Sequence, residues 1–456
     1  METMMKKSLI AASVTLALLP WASQASDVFT LGEIDVHAPA RNMLSSARVN
    51  QATLQLNDAT TLDDLGRFVP GVYMHRIGGR NDRNLMVRGF DAHSVPLLVD
   101  GIPVYVPYDG ANDMSRYTTF EYTTINVSKG TGSVLYGPNA LGGAVNLVTA
   151  KPTKPFEAKV GLGLKTGRSS HTLGEEGFVN LGTKQDLWYG MIDLSYVNDE
   201  GMQAPHGFHG SEKVPMTNKS LVNSKHMDYK GTIKLGLTPN MTDEYSLVIT
   251  HQHGDKQQPL STNYDWNDKG KKFLRSPRFW RWPKWDKTNV YLLTHTELNE
   301  ANQLYVDGKV FYSRFDNDME SWDAPNDKTA QKPVFKSPAD YAPIFDMPRS
   351  EFSTYRDYSL GAGLEVGATL AKAHAVKGSF FWVDDIHRDQ KTKYGKTTTV
   401  NPQIKDQDRT LTFAAEDTYT VNDKLTLIGG LAYSTRDPKK NAVLPRKQRP
   451  PRKVCN

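Results

Sequence analysis

The chain has 456 residues, of which 38% are apolar, 23% charged and 10% aromatic, and its single cysteine is Cys455. This composition excludes a disordered or collagen-like chain, and one cysteine excludes an intrachain disulfide framework and a cysteine-rich metal site. The net charge of +5 is no sign of nucleic-acid binding, because residues 438–456 hold seven basic residues and no acidic one. The rest of the chain is therefore slightly acidic.

The first residues have the pattern of a secretory signal peptide. Lys6 and Lys7 precede an apolar run over residues 9–21, and small residues lead to an expected cleavage after Ala25. A buried N-terminal helix is the alternative. The run is too short to cross a membrane, and no apolar stretch of about 18 residues follows it. We therefore expect any membrane-embedded part to be a β-barrel, because only helices and closed barrels satisfy their backbones in lipid.

Residues 43–152 are predicted to form a compact α/β unit, since short β-prone runs alternate there with glycines that mark tight turns. A helix is expected over residues 61–68. Its N-cap would be Thr60 or Thr61, with Asp63 and Asp64 in the first turn.

From about residue 153 the sequence predicts long alternating strands. In the first clear example Ile192, Leu194 and Tyr196 share one face, whereas Asp193 and Ser195 share the other. Such alternation is typical of transmembrane barrel strands and also occurs in soluble sandwiches. Eleven strands are predicted, over residues 157–165, 176–183, 186–197, 227–237, 243–253, 287–298, 302–315, 355–370, 373–387, 408–420 and 424–436. Their connections alternate between long and short, which favours an outer-membrane barrel.

Three stretches, TTLDDLGRFVPGVYMHR (60–76), LMVRGFDAHSVPLLVDGIPVY (85–105) and INVSKGTGSVLYGPNALGGAVNLVT (125–149), resemble the plug domain of TonB-dependent outer-membrane receptors. Residues 31–38, LGEIDVHA, resemble the TonB box of that family, although Asp35 and His37 depart from its usual pattern. The resemblance implies that a TonB-type periplasmic protein pairs with a strand formed by Glu33, Ile34, Asp35, Val36, His37 and Ala38.

The family resemblance implies an all-β transmembrane barrel preceded by a small α/β plug domain, with about 11 of an expected 22 strands present. The expected organisation is a signal peptide at 1–25, a TonB-box segment and linker at 26–42, a plug at 43–152, a partial barrel at 153–437 and a basic, proline-rich tail at 438–456. That tail lacks alternation and a final aromatic residue. We expect a frameshift or premature stop, and hence an inactive chain, with a natural basic tail as the alternative.

The function implied by the resemblance is energy-coupled uptake of a ferric siderophore through the Gram-negative outer membrane, with outer-membrane lipid around the barrel. Neither a cofactor nor nucleic acid is expected as a partner, and the chain is not expected to be an enzyme. Cobalamin, haem or another metal complex is an alternative ligand. An outer-membrane hydrolase is a weaker alternative, because no GxSxG motif is present.

Ligand binding is predicted between plug loops 74–83 and 105–117 and the outer loops. The candidate ligand-binding residues are Arg80, Tyr105, Tyr108, Arg278, Trp280 and Arg281. The last three belong to an aromatic and basic cluster with Trp282, Trp285 and Lys284, which suits either an interfacial girdle or an anionic chelate. Histidines at 206, 209, 251 and 253 are predicted to be solvated rim residues and not a metal site.

Overall fold

The computed structural model describes a plug unit and a large sheet. The described residues are 31, 46–77, 82–108, 110, 112–130, 133–167, 172–203, 216–217, 220–259, 264–266, 272–274, 280–322, 349–371, 373–394, 397–422 and 424–440. The predicted signal peptide and TonB-box residues 33–38 lie outside them, as do Arg80, Arg278, His206 and His209.

The N-terminal unit is a small mixed sheet with short helices. Its strands are β1 (Ser46–Asn50), β2 (Val72–Ile77), β3 (Asp82–Val87), β4 (Leu97–Val99), β5 (Ile102–Pro103), β6 (Tyr122–Lys129) and β7 (Gly143–Thr149). Five of them form a sheet in the order β1-β6-β7-β4-β5, and β2 pairs with β3. The β4–β7 pair is parallel. Every residue of β7 is buried, so this strand is the centre of the unit.

The predicted helix is confirmed as a 3-10 helix, Leu62–Arg67. Its capping box joins Thr61 and Asp64, whose carboxylate accepts hydrogen bonds from the Thr60 and Thr61 amides at 2.9 and 3.0 Å. Leu62 and Leu65 point into the core. The structure adds one α-helix, α1 (Gln51–Leu56), and two 3-10 helices, Met114–Arg116 and Val134–Tyr136.

The second unit is one antiparallel sheet whose long strands pair in chain order. The eleven long strands are β8 (Glu157–Thr166), β9 (Thr172–Lys184), β10 (Trp188–Asp199), β13 (His226–Leu237), β14 (Glu244–Gln257), β17 (Trp280–Asn299), β18 (Leu304–Ser321), β19 (Glu351–Leu370), β20 (His374–Lys393), β22 (Ile404–Asn422) and β23 (Leu425–Lys440). Short strands β11 (Met216–Thr217), β12 (Ser220–Leu221), β15 (Tyr264–Trp266) and β16 (Lys272–Leu274) form two hairpins in the connections, and β21 (Thr399–Val400) pairs with β20. A 3-10 helix, Glu300–Asn302, links β17 to β18.

The eleven predicted strands are confirmed, but several extend further than predicted. Strand β17 begins at Trp280 and not at residue 287. The alternation of apolar and polar residues breaks before residue 287, but register shifts in β14 and β17 allow the backbone pairing to continue through the break. Strand β23 likewise continues to Lys440, with Pro438 opposite Asp408. The predicted tail boundary at residue 438 is therefore three residues early. Proline is tolerated in a strand with one paired side.

The two faces of the sheet differ as the alternation predicts. On β10, Ile192 and Leu194 are 45% and 53% exposed, whereas Met191 and Asp193 are each 5% exposed beneath the plug unit. We call the covered surface the inner face. Charged and hydroxyl side chains on this face meet the plug, whereas the outer face is apolar.

The strand connections segregate into long loops at one end of the sheet and short turns at the other. We call these the long-loop end and the short-turn end. In the described part of the chain, β8 and β23 each pair with one long strand, so the sheet is open along both edges. No helix among the described residues is long and apolar enough to cross a membrane.

The first residue of β7, a glycine, offers a test of the plug fold. Gly143 has φ +118°, and a Cβ atom there would lie 2.1 Å from the Ser128 carbonyl oxygen. Gly143→Ala should therefore destabilise the plug by about 1–3 kcal/mol. Hydrogen exchange of the β6 and β7 amides should accelerate accordingly. Gly378→Ala is the matched control, because nothing lies within 4 Å of its Cβ position. Equal exchange in both variants would contradict the assigned backbone.

Candidate functional site

The plug is held against the inner face by buried ion pairs. Arg116, on the 3-10 helix Met114–Arg116, is 1% exposed and donates from Nη2 to Asp228 Oδ1 of β13 at 2.8 Å. Its Nη1 donates to the Asp255 carbonyl at 3.1 Å, and its guanidinium lies 4.5 Å from the centroid of the Trp285 ring. Gln252 Nε2 donates to the same Asp228 oxygen at 2.9 Å. One plug side chain therefore binds three wall strands.

A second buried cluster surrounds Lys256 of β14. Its Nζ donates to Asp113 Oδ2 at 2.5 Å and to Asp82 Oδ1 at 2.6 Å, both on the plug. Burial alone would raise the pKa of the Asp113 carboxyl, but the Lys256 ammonium and hydrogen bonds from Ser115 and Arg83 hold it well below its usual range. Asp113 is therefore an anion wherever the plug is seated.

Further plug–wall contacts continue toward the short-turn end. Lys230 pairs with Glu121, and Lys287 Nζ donates to the Tyr117 hydroxyl at 3.0 Å. Lys151 pairs with Glu244 at 2.6 Å. These residues were missed from the sequence. In the sequence, each of these residues is visible only as a charged side chain at an inward-facing position of an otherwise apolar strand. That position does not show which residue the side chain pairs with.

A cavity of about 740 Å³ separates the plug from the later strands of the wall. The plug contributes Tyr105, Tyr108 and neighbouring loop residues, and the wall contributes residues of β17, β18, β19, β20, β22 and β23. Near the short-turn end the lining includes Asp307 and Glu365, and near the long-loop end it includes Asp408. The cavity therefore extends along much of the inner face.

Leu31 is the one residue before Ser46 that the structure describes, and it lines this cavity. It is 5% exposed in a cluster with Ile102 of the plug and Tyr291, Leu293 and Phe311 of the wall. The start of the predicted TonB-box segment is thus packed between plug and wall.

Two predicted ligand-binding residues lie on the cavity wall. The Tyr105 hydroxyl donates to Asp385 Oδ2 at 2.6 Å, and burial together with the Asp385 charge raises the pKa of this phenol. Tyr108 is 49% exposed, and its ring centroid lies 4.8 Å from that of His387 and 5.6 Å from that of Tyr355.

The structure separates the other predicted ligand residues from these. The described cavity lining does not include Trp280 or Arg281. Arg281 Nε instead donates to Asn223 Oδ1 at 2.9 Å, and its guanidinium lies 5.8 Å from the Trp322 ring centroid. A single site containing all of the candidates was therefore not found among the described residues.

The interfacial-girdle interpretation of the neighbouring tryptophans is wrong for Trp282 and Trp285. They are 7% and 8% exposed, and they face Lys256 and Arg116. The register shift between Arg281 and Lys284 turns the Trp282 ring to the inner face, whereas Trp285 shares the inward parity of Lys287, Tyr291 and Leu293 on the same strand.

His251 and His253 share one face of β14 as predicted, and that face is the outer one. His251 Nδ1 lies 2.9 Å from Thr288 Oγ1, and His253 Nδ1 lies 2.6 Å from Asp286 Oδ1. Within the described residues, no group of three or more His, Cys, Asp or Glu is placed to hold a metal ion.

Known proteins resemble both the N-terminal unit and the fold of the chain. Residues 39–144 match the family model described as TonB-dependent Receptor Plug Domain. The N-terminal unit is the plug domain of a TonB-dependent receptor. The chain is also 31% identical over 170 residues to the vitamin B12 transporter BtuB of Vibrio cholerae serotype O1, a match that covers 35% of this chain and 27% of that protein.

Solved structures share the fold of both units of this chain. The copper transporter OprC matches with a TM-score of 0.65 and 16% identity, over 86% of this chain and 55% of that chain. The siderophore receptor PirA from Acinetobacter baumannii matches with a TM-score of 0.63 and 16% identity, over 86% of this chain and 57% of that chain. The chain thus spans about half the length of these receptors and about a quarter of the curated relative.

Removing the central plug cation should loosen the plug. Arg116→Ala leaves Asp228 buried without its partner, which should cost about 3–5 kcal/mol of plug–wall stability. Limited proteolysis of the plug at increasing urea concentration measures this loss. Arg67→Ala is the matched control, because its partner Asp64 lies in the same plug at 3.0 Å and the Arg67 side chain is 58% exposed. That control should change stability by about 0.5 kcal/mol or less. Equal effects would show that the Arg116 pair does not anchor the plug.

The depressed pKa of Asp113 predicts a pH dependence of a defined sign. A carboxyl with a lowered folded pKa stabilises the folded state above its unfolded pKa, about 4, and loses that contribution as the pH falls toward the folded value. The stability difference between wild type and Asp113→Asn should therefore be constant from pH 8 to about pH 5 and shrink below about pH 4. Urea titrations of plug proteolysis at each pH measure it. A difference that disappears near neutral pH would contradict the pairing with Lys256.

Proposed function

We propose that this chain is part of a receptor that, at full length, serves energy-coupled uptake of a metal chelate through the outer membrane, with a ferric siderophore as the first candidate, and that the 456-residue chain alone is inactive. The observation that carries the proposal is the plug itself, which is held by polar contacts on the inner face and leaves a cavity of about 740 Å³ beside it. Neither unit needs covalent chemistry for this task. The apolar outer face suits outer-membrane lipid.

Ligand would enter at the long-loop end and contact Tyr105 and Tyr108. These residues lie on one plug loop, and both reach the wall through Asp385, Tyr355 or His387. A ligand between loop and wall would therefore change the same contacts that position the plug. Trp280 and Arg281 would belong to a separate outer contact, and Arg80 and Arg278 are proposed as further ligand-binding residues.

The segment containing Glu33, Ile34, Asp35, Val36, His37 and Ala38 would bind a TonB-type periplasmic protein by strand addition. Leu31 lies two residues before this segment and is packed between plug and wall. Tension on the segment would consequently reach the plug–wall junction first.

Cobalamin is a second candidate ligand. It is favoured by the 31% identity to the vitamin B12 transporter BtuB, although that match covers 27% of the relative. Cells that produce the receptor can be offered radiolabelled ferric siderophores and cyanocobalamin in parallel, and the labelled compound that accumulates identifies the class.

The coupling step has a direct test. In a repaired full-length receptor, Ile34→Pro should abolish uptake and leave ligand binding at the cell surface nearly unchanged, because proline removes a backbone donor from a segment that must pair as a strand. Ile34→Val is the matched control and should retain both activities. Normal uptake by the proline variant would refute the assignment of residues 33–38 as the coupling segment.

A further inference from the structure

A second, smaller cavity also lies between plug and wall. Its volume is about 30 Å³, and its lining includes Tyr117 and Glu121 of the plug and Lys230, Lys287 and Asn289 of the wall. A cavity of roughly 10–15 Å³ already accommodates one water molecule. The space therefore suits one or two water molecules or a single small ion, and it is too small for a chelate.

The charges that line this cavity do not balance. Lys230 pairs with Glu121, so these two side chains neutralise each other. Lys287 is 3% exposed, and its Nζ donates to the Tyr117 hydroxyl at 3.0 Å, which in turn donates to the neutral Asn112 amide at 2.7 Å. Among the described residues, no carboxylate oxygen lies within 4 Å of Lys287 Nζ. One buried positive charge is therefore left without a counter-charge.

Lys234 of β13 shows how the same interface compensates another buried ammonium group. Lys234 is 2% exposed and donates to Thr149 Oγ1 at 2.7 Å. That hydroxyl donates to Asp100 Oδ2, also at 2.7 Å. The hydrogen bonds that start at Lys234 thus end at a carboxylate, whereas those that start at Lys287 end at a neutral amide. Lys287 is the ammonium group that needs a further partner.

The cavity also offers unused hydrogen-bond donors. An ammonium group has three N–H donors, and the described residues accept one of the three from Lys287. Asn289 lies two residues further along β17 and on the same face. Ser313 Oγ donates to Asn289 Oδ1 at 2.7 Å, and the described residues provide no acceptor for the Asn289 amide nitrogen. Both side chains can therefore donate to a guest in the cavity.

A buried ammonium group without a counter-charge is costly, whereas an ion pair with further hydrogen bonds recovers much of that cost. We propose that this cavity binds one monovalent anion of about the size of chloride, held by Lys287 and Asn289. Because both units line the cavity, the anion would be part of the plug–wall interface. The inference goes beyond the proposed uptake function and is independent of which ligand is imported.

The stability of the plug in two salts tests this site. The full chain in neutral detergent is digested at increasing urea concentration, in sodium chloride or in sodium gluconate of equal ionic strength. Both salts screen the plug–wall ion pairs equally, but gluconate is too large for a cavity of about 30 Å³. With chloride at ten times its dissociation constant, the fraction of unseated plug and its proteolysis rate should fall about tenfold.

Two variants locate the chloride effect. Lys287→Met removes the charge while the side chain stays long and unbranched, so this variant should lose the effect. Asn289→Asp places a fixed carboxylate beside Lys287 and should also lose the effect, although Lys287 keeps its charge. The matched control is Lys256→Met, because Lys256 pairs with Asp82 and Asp113. This control should be less stable than wild type in both salts and should keep the tenfold difference between them.

Bromide locates the anion directly, because its anomalous scattering marks its position in a crystal. Crystals of the chain soaked in sodium bromide should show a peak in contact with Lys287 Nζ, and crystals of Lys287→Met should show none there. Equal proteolysis in chloride and gluconate would overturn the inference and assign the cavity to water. A chloride effect that persists in Lys287→Met, or a wild-type crystal without the bromide peak, would also overturn it.

Discussion

The structure depends on one constraint: each long strand must present an apolar outer face and a polar face to the plug. The period of two in β-strands meets this constraint residue by residue, as Leu194 and Asp193 of β10 illustrate. Burying the polar face carries a desolvation cost, which paired charges offset. The Arg116–Asp228 pair and the Lys256–Asp113 pair are therefore consequences of enclosing a polar plug within a sheet.

The same constraint links structure to function. A plug bound through apolar packing alone would have no reason to leave the wall, whereas ion pairs and hydrogen bonds can be exchanged for water when the plug moves. The loop carrying Tyr105 and Tyr108 contacts the wall near the long-loop end, and Leu31 is packed nearer the short-turn end. Ligand and periplasmic partner would thus act on one interface from opposite ends.

Strand number, strand order and face assignment could be predicted from the sequence, because they follow from local alternation and loop length. The plug motifs likewise predicted that the N-terminal residues form a separate α/β unit. The sequence could not predict the inward rotation of Trp282, which depends on a register shift, nor the partner of Lys256, which is 143 residues from Asp113. Register and long-range pairing are tertiary properties, and they also placed Trp280 and Arg281 away from the Tyr108 loop.

A reversible tether between plug and wall tests most directly whether the plug must move. A Cβ atom at Gly430 of β23 would lie 2.9 Å from Val134 Cγ2 of the plug, so Val134→Cys with Gly430→Cys places two thiols within reach of a disulfide. In a full-length receptor whose other cysteines are replaced by serine, oxidation of this pair should stop uptake while surface binding persists, and reduction should restore uptake. Normal uptake by the oxidised, cross-linked protein would contradict the account.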